Sequence, residues 1–316
     1  MESLKIISLS FFDGFIDSLK NVWVIFYIDK TINKKLEAND QQQINSSKKS
    51  NKEKKKEEKS KVALRVFQCC ALNGGLFLLS LLFFYHLLLP FLEAIITHFT
   101  DPSIWSYINI TLSWIFSCIW VVPLFLLSKV FNFFWFQDIA DATYEFRRGK
   151  RTLLPSISLL LADVIFSLIV QTLFILQGTT LSYIPIVGRF LCFIHICLLY
   201  SLYSFEYKWF NQGYELYKRL KLVEFNWPYY IGFGFYLGIL TELSDSFIMK
   251  GCIFSMFFPL LIISSIDSVP QQRIDCPIPF FSIVVALPNF LVSRKLKSNQ
   301  VQQYSGNRSS TTPTRR

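Results

Sequence analysis

Four acidic residues stand inside or at the ends of long apolar runs of this 316-residue sequence: Glu93, Asp138, Asp163 and Glu206. A charged side chain inside a membrane-spanning segment is energetically expensive, and such residues often line a path for protons or cations. Asp163 lies deepest in its run, whereas the other three lie near run ends, where a side chain can reach the membrane surface. We therefore expect interhelical hydrogen bonding and end-capping, with a proton or cation path as the alternative. His86 and His195 are weaker candidates for the same path.

No motif of a common enzyme or cofactor site occurs in the chain. The sequence has no G-x-S-x-G elbow, no H-E-x-x-H pair and no P-loop, and it contains three histidines in all. The seven cysteines show no zinc-ligand spacing and no disulfide pattern. We therefore predict a non-enzymatic protein without a cofactor or metal. Cys69 and Cys70 adjoin the first apolar run, where S-palmitoylation is plausible.

The apolar runs themselves must position these side chains. Hydrophobic residues make up 52% of the chain, and a run of roughly 18 apolar residues suffices to cross a bilayer as a helix. The long runs are 72–99, 104–136, 155–177 and 181–207, and the shorter ones are 227–243, 251–266 and 278–292. These continuous runs predict helices, with a kink in the first at Pro90, rather than the alternating strands of a β-barrel. The predicted fold is all-α and polytopic, with about four long spanning helices plus a pair of short or re-entrant helices.

A glycine pair marks one helix for close packing. Gly234 and Gly238 have the G-x-x-x-G spacing in the run 227–243. Residues four apart share one face of a helix, and two glycines there let another helix approach closely. We predict that this face contacts a neighbouring helix.

The rest of the chain divides into three segments around a helical membrane domain at 66–293. Residues 1–32 are predicted to form an amphipathic helix, with Phe12, Phe15 and Leu19 on its apolar face, that lies in the membrane interface or packs against the bundle. Residues 33–65 are a lysine-rich linker predicted to be disordered, which contacts anionic lipid or serves as a solvated tether. Residues 294–316 form a disordered basic tail.

Charge distribution predicts the orientation. The net charge of +10 is concentrated in 33–65 and in the loops at 147–151 and 208–221, whereas the loop near 101 is free of Lys and Arg. Basic loops stay in the cytosol, so the N-terminus and the C-terminal tail are both predicted to be cytosolic. This pattern favours the lipid bilayer as the partner over nucleic acid. An uncleaved first span indicates insertion at the endoplasmic reticulum.

Several strings resemble the etoposide-induced membrane protein family of the endoplasmic reticulum. They are VFQCCALNGG at 66–75, WFQDIAD at 135–141, LYSLYSFEYKWFN at 199–211 and NWPYYIGFG at 226–234. The resemblance covers about residues 5 to 292. It implies a protein required for late steps of autophagy, autophagosome maturation and degradation, with a growth-suppressing or pro-apoptotic role and with autophagy or apoptosis proteins as partners of the cytosolic loops.

The same family is distantly similar to bacterial CysZ-type sulfate permeases. That similarity implies half-membrane hairpins and makes a small-anion or proton-coupled transporter or channel the alternative function. Lys129 and Arg189 are the only cations near span depth in the first four runs, which weighs against anion transport.

Overall fold

A computed structural model describes residues 2–20, 29–31, 33–34, 37–38, 62–99, 102–150, 152, 157–270 and 277–286. The helices are α1 (Glu2–Lys20), α2 (Val62–Phe99), α3 (Pro102–Phe116, Ser117–Val121 and Val122–Arg148 in one run), α4 (Ile157–Leu181), α5 (Gly188–Asn211), α6 (Leu216–Phe225), α7 (Trp227–Glu242) and α8 (Phe247–Asp267). These residues contain no strand. The predicted all-α membrane fold is confirmed. Most of the predicted linker and the whole predicted tail lie outside the described residues.

Within the described residues, five helices are long and apolar enough to cross a membrane: α2, α3, α4, α5 and α8. α8 begins at Phe247, earlier than the run 251–266 suggested, because the Ser246 hydroxyl accepts a hydrogen bond from the Met249 N–H at 3.5 Å and caps the helix. The 16 residues of α7 extend about 24 Å, less than a hydrocarbon core of roughly 30 Å. Of the predicted short pair, α8 therefore has spanning length and α7 does not.

Prolines in α2 and α3 are accommodated without ending either helix. A proline lacks the N–H that would bond four residues back, and its ring clashes with that carbonyl. A π-helical turn precedes each site, Phe84–Leu88 before Pro90 and Ser117–Val121 before Pro123. The wider turn shifts the local hydrogen-bond pattern, so α2 continues past Pro90 to Phe99.

The connection between α4 and α5 differs from the predicted run 181–207. α4 extends to Leu181, and α5 starts at Gly188. The turn between them includes Ile186 at a positive φ of 69°. A Cβ at Gly188 would lie 2.6 Å from the Leu181 carbonyl oxygen, so the tight return of the chain requires glycine there.

α1 packs against α7 through close backbone contact at glycines and through Phe15, whereas Phe12 and Leu19 of the predicted apolar face are exposed. A Cβ on Gly14 would lie 2.0 Å from the Tyr229 carbonyl oxygen, and one on Gly232 would lie 2.0 Å from the Phe11 carbonyl oxygen. The two backbones therefore touch, and the Tyr229 hydroxyl donates to Asp17 at 2.8 Å. Phe11 and Phe15 contact the Phe235 ring of α7, whereas five other apolar side chains of α1 face outward: Leu4, Leu9, Phe12, Ile16 and Leu19. α1 is thus a part of the bundle with an apolar outer face.

α2 and α3 form a long antiparallel pair whose far end carries its own small core. Phe84 of α2 stacks on Phe116 of α3 with ring centroids 3.8 Å apart, and Leu89 and Trp105 are buried beside them. The main core lies around α5, α7 and α8. The described segment 277–286 also joins it, since the Phe281 ring lies 4.6 Å from that of Phe174 in α4.

The beginning of α2 is capped by a residue from the far side of the linker. The Asp29 carboxylate accepts hydrogen bonds from the backbone N–H groups of Val62 and Ala63 at 2.8 and 2.9 Å. A carboxylate at a helix N-terminus satisfies free N–H groups and complements the helix dipole. This cap starts the helix at Val62, inside the range 33–65 assigned to the linker, and it holds the two ends of the linker together.

Candidate functional site

A buried arginine joins two of the predicted acids. The Arg219 side chain is 1% exposed, and its Nη2 lies 2.6 Å from Asp163 Oδ2 while its Nη1 lies 3.3 Å from Glu206 Oε1. Arg219 Nε also donates to the Tyr214 carbonyl oxygen at 2.7 Å. α4, α5 and α6 each contribute one charge to this cluster, which we call the Arg219 cluster. Its formal charge is −1 when all three groups are ionised.

Neutral groups donate the other hydrogen bonds to both carboxylates. Ser167 Oγ and Gln171 Nε2 donate to the two oxygens of Glu206, and Gln171 also donates to Ser167 at 3.0 Å. The Leu216 N–H donates to Asp163 at 3.1 Å. Charged groups removed from water must be paired and hydrogen-bonded, and this arrangement meets that requirement.

Helical spacing explains how the chain assembles this cluster. Asp163, Ser167 and Gln171 are four residues apart and therefore share one face of α4. On α6, Arg219 lies on the same face as the buried Leu216 and Val223. In the sequence, Arg219 is one of the basic residues of the loop 208–221 that predict a cytosolic side. Arg219 is at i+3 from Leu216, on the helical face that Leu220 and Val223 continue at i+4 and i+7, and this spacing was the signal that it faces inward.

The cluster has two chemical capabilities. It locks three helices together, because one guanidinium fork satisfies carboxylates from two other helices. It also places an acid pair with an excess negative charge inside a helical bundle, where a proton or cation could be exchanged.

The other predicted acids are not brought into this cluster. Asp138 forms a surface ion pair with Arg65 at 3.2 Å, with the two side chains 53% and 35% exposed. Glu93 is exposed near the far end of α2, as is His86. The four acids therefore do not form one continuous path among the described residues.

The imidazole of His195 is held in one neutral form. Nδ1 lies 2.8 Å from the Leu191 carbonyl oxygen, which can only accept, so Nδ1 carries the proton. Nε2 then accepts from the Gln177 amide at 3.2 Å. The ring also stacks on Phe174. His195 thus has both nitrogens engaged.

The predicted lipidation and packing residues occupy defined places. Cys69 is fully buried, and the Cys70 thiol, which is partly exposed, donates to the Met256 carbonyl oxygen at 3.5 Å. Of the two, Cys70 is the more accessible to an acyl transferase. Gly234 faces α5, where its Cβ would lie 2.0 Å from the Cys197 carbonyl oxygen, and Gly238 faces the Cys197 thiol on the same helix.

An amide pair not anticipated from sequence joins α2 to α3. Asn73 Nδ2 donates to Asn132 Oδ1 at 2.9 Å, and Asn132 Nδ2 donates back to Asn73 Oδ1 at 3.1 Å. Both side chains are buried. Such reciprocal pairs fix the register of two helices, because a shift of either one leaves buried amides unpaired.

One end of the bundle is basic, and we call it the basic end. Arg148 donates to the carbonyl oxygens of Ile266 and Asp267, Arg147 pairs with Asp267 at 3.1 Å, and Lys208 donates to the Ser268 carbonyl oxygen. These cations satisfy free carbonyls at the end of α8 and complement the negative end of its dipole.

Outside the spanning helices, Glu224 of α6 anchors the C-terminal segment. Its carboxylate accepts a hydrogen bond from the Phe281 N–H at 3.0 Å. Burial raises the pKa of Glu224, and the Phe281 N–H and the charge of Lys221 oppose that rise.

Comparisons with known proteins identify the family of this chain. A family model described as "Sulfate transporter CysZ/Etoposide-induced protein 2.4" matches residues 58–262, more than half of the chain. "Protein EI24 homolog" of Arabidopsis thaliana is 27% identical over 251 residues, which cover 69% of this chain and 78% of the relative. "Ectopic P granules protein 4" of Caenorhabditis elegans is 25% identical over 293 residues, 88% of each chain.

A third relative, "Protein EI24 homolog" of Dictyostelium discoideum, is 28% identical over 258 residues, 78% of this chain and 80% of the relative. No solved structure matches the chain. The resemblance inferred from the sequence is confirmed, and the chain belongs to the CysZ/etoposide-induced protein 2.4 family.

Proposed function

We propose that this chain is a non-enzymatic membrane protein of the endoplasmic reticulum that supports late autophagy, the maturation of autophagosomes and degradation of their contents. The observation that carries the proposal is the family match across 58–262, which covers most of the described helical bundle. The nematode relative, which matches along 88% of both chains, is named for ectopic P granules. A growth-suppressing or pro-apoptotic role follows from the same resemblance.

The structure suggests where partners would bind. The Asp29 cap holds the ends of the linker at the start of α2, close to Arg65 of α2 and its ion-pair partner Asp138 on α3. The proposed cytosolic surface therefore presents the linker beside the basic end. Anionic lipid or autophagy proteins would contact this surface, since each basic residue near an anionic membrane contributes about 1 kcal/mol.

The test is autophagic flux in cells that lack the protein, with full-length chain restored. We expect a block that the full-length chain reverses. A chain whose residues 39–61 are replaced by a Gly/Ser segment of equal length keeps Asp29 and Val62 and so keeps the cap. We expect it to fold and to restore flux only weakly. Normal flux without the protein would refute the proposal, and full rescue by the Gly/Ser chain would remove the linker from the mechanism.

A second candidate function is transport of a small anion or of protons. The Arg219 cluster favours it, because it places two carboxylates and a guanidinium within the bundle. The test is ion or proton flux in liposomes that contain the purified protein. Flux that falls in Asp163→Asn would support transport, whereas the absence of flux from folded protein across a panel of ions would count against it.

A further inference from the structure

A cavity of about 480 Å³ lies between α3, α4, α5 and α8, apart from the Arg219 cluster. This volume is typical of sites that bury an organic ligand and is far larger than an inorganic anion needs. On α5 its lining runs from Cys192 to Tyr203, which is about 17 Å along the helix axis. The cavity is therefore elongated along the direction of the bundle.

The lining is apolar along its length and cationic at one place. Phe174, Ile175 and Phe254 supply apolar surface, whereas Lys129 and Lys250 supply positive charge. No acidic residue is among the described side chains that line the cavity. α8 begins beside it at Phe247, and the positive end of a helix dipole adds to the same potential.

The two lysines differ in how their charge is balanced. Lys250 forms an ion pair with Glu242 at 2.6 Å. Lys129 forms no ion pair or hydrogen bond within the described part of the chain, and its Nζ lies over the Phe125 ring at 4.8 Å. Helical side chains lean towards the N-terminus of their helix. The ammonium of Lys129 is accordingly directed away from the basic end and towards the cavity, where a cation–π contact stabilises it only partly.

The cavity opens towards the apolar surface of the bundle. Ile175 and Phe247 of its lining are exposed, and so are the neighbours of Lys129 on α3, Leu126 and Val130. A lipid could enter sideways from the bilayer, whereas an ion from water would have to leave its hydration shell in hydrocarbon. The Lys129 side chain is exposed and has no countercharge among the described residues, so a negatively charged headgroup in the cavity would be stabilised by pairing with it.

We infer that this cavity binds an anionic lipid, with its phosphate or carboxylate head on Lys129 and an acyl chain along the apolar lining. The inference depends on the cavity alone and is independent of the proposed role in autophagy.

The test measures binding of dioleoyl phosphatidate, dioleoyl phosphatidylcholine and inorganic phosphate to the purified full-length protein in a neutral detergent. We expect phosphatidate to bind more tightly than phosphatidylcholine, and inorganic phosphate not to compete. Lys129→Met keeps the length of the side chain and removes its charge, so we expect it to weaken phosphatidate binding roughly tenfold or more. Lys221→Met, at an exposed position on α6, is the matched control and should change nothing.

A second variant tests the apolar part of the site. Ile175→Trp adds bulk at the cavity lining and should weaken binding of both lipids without changing the protein's unfolding temperature. Equal affinity for the two lipids, an unchanged affinity in Lys129→Met, or an unchanged affinity in Ile175→Trp would each overturn the inference. Competition by inorganic phosphate as strong as that by lipid would also overturn it, because the site would then be one for a small anion.

Discussion

Replacing Arg219 by Met tests whether the Arg219 cluster holds the bundle together. The change removes a guanidinium that is 1% exposed and leaves Asp163 and Glu206, which are 11% and 21% exposed, without their countercharge. Breaking a buried ion pair from one side destabilises a protein by about 3–5 kcal/mol. Because Ser167, Gln171 and the Leu216 N–H still donate to the acids, we expect the lower half of that range.

The assay is thermal unfolding in detergent, followed by tryptophan fluorescence. Trp209 is buried in the main core and lies on α5, the helix that also carries Glu206, so its fluorescence reports on the packing near the Arg219 cluster. At roughly 2 °C per kcal/mol for a chain of this size, a loss of about 3–4 kcal/mol lowers the unfolding temperature by about 6–8 °C. All variants are compared at one heating rate, since unfolding of membrane proteins is often irreversible.

Two controls separate the charge from other effects of the substitution. Lys218→Met removes a neighbouring cation that lies over the Tyr214 ring at the surface, and it should shift the temperature by less than about 2 °C. The triple variant Asp163→Asn, Glu206→Gln, Arg219→Met removes all three charges and should recover most of the loss. If Arg219→Met is no less stable than Lys218→Met, or if the triple variant is no more stable than Arg219→Met, the reasoning is wrong.

Three further predictions follow from other contacts. Gly232→Leu places a side chain where the backbone of α1 lies and should release α1 to protease, whereas Gly75→Leu should not, because a Cβ added at Gly75 enters open space. Asn73→Leu leaves a buried amide unpaired and should lower stability by about 1–3 kcal/mol, and the double variant with Asn132→Leu should recover part of it, as measured by unfolding temperature. Because the pKa of Glu224 is raised, the folded state binds a proton there more tightly than the unfolded chain. The protonated Glu224 therefore stabilises the fold below pH 4.5, and this contribution is lost as pH rises through the raised pKa. Glu224→Gln should flatten that part of the plot of unfolding temperature against pH.

Each of these predictions has a contrary outcome. Equal protection of α1 in the Gly232 and Gly75 variants would mean that the contact with α7 does not hold α1. A double Asn variant as unstable as the single one would mean that apolar packing, not the amide pair, sets the stability there. An unchanged pH profile in Glu224→Gln would assign the slope to another group.

Some of the site residues were visible in the sequence, and their arrangement was not. Asp163 and Glu206 stand out because charge within an apolar run is rare. Arg219 was hidden because a basic residue in a basic loop normally faces water. The spacing of Leu216, Leu220 and Val223 does indicate an inward position, but which acids Arg219 meets is decided only when α6 packs on α4 and α5, and Asp163 lies 56 positions away in the chain.

The N-terminal helix illustrates the limit of periodicity. The pattern of Phe12, Phe15 and Leu19 predicts one apolar face, yet Phe12 and Leu19 point outward, while Phe15 contacts Phe235 and the backbone of α1 approaches α7 at Gly14. In water an apolar face turns inward, but in a membrane lipid is as apolar as a neighbouring helix. Close backbone approach then decides which face packs, and small residues permit it.

The sequence by itself determined that this chain is a helical membrane protein, because apolar length and backbone hydrogen bonding leave few other solutions in a bilayer. It also determined the family, through strings of uncommon residues along most of the chain. Only the tertiary structure decided which charges meet, that Asp29 caps a helix across the linker, and that Lys129 faces a cavity without a countercharge. Those features arise from distances between helices, which depend on the packing of many side chains at once and not on any local pattern.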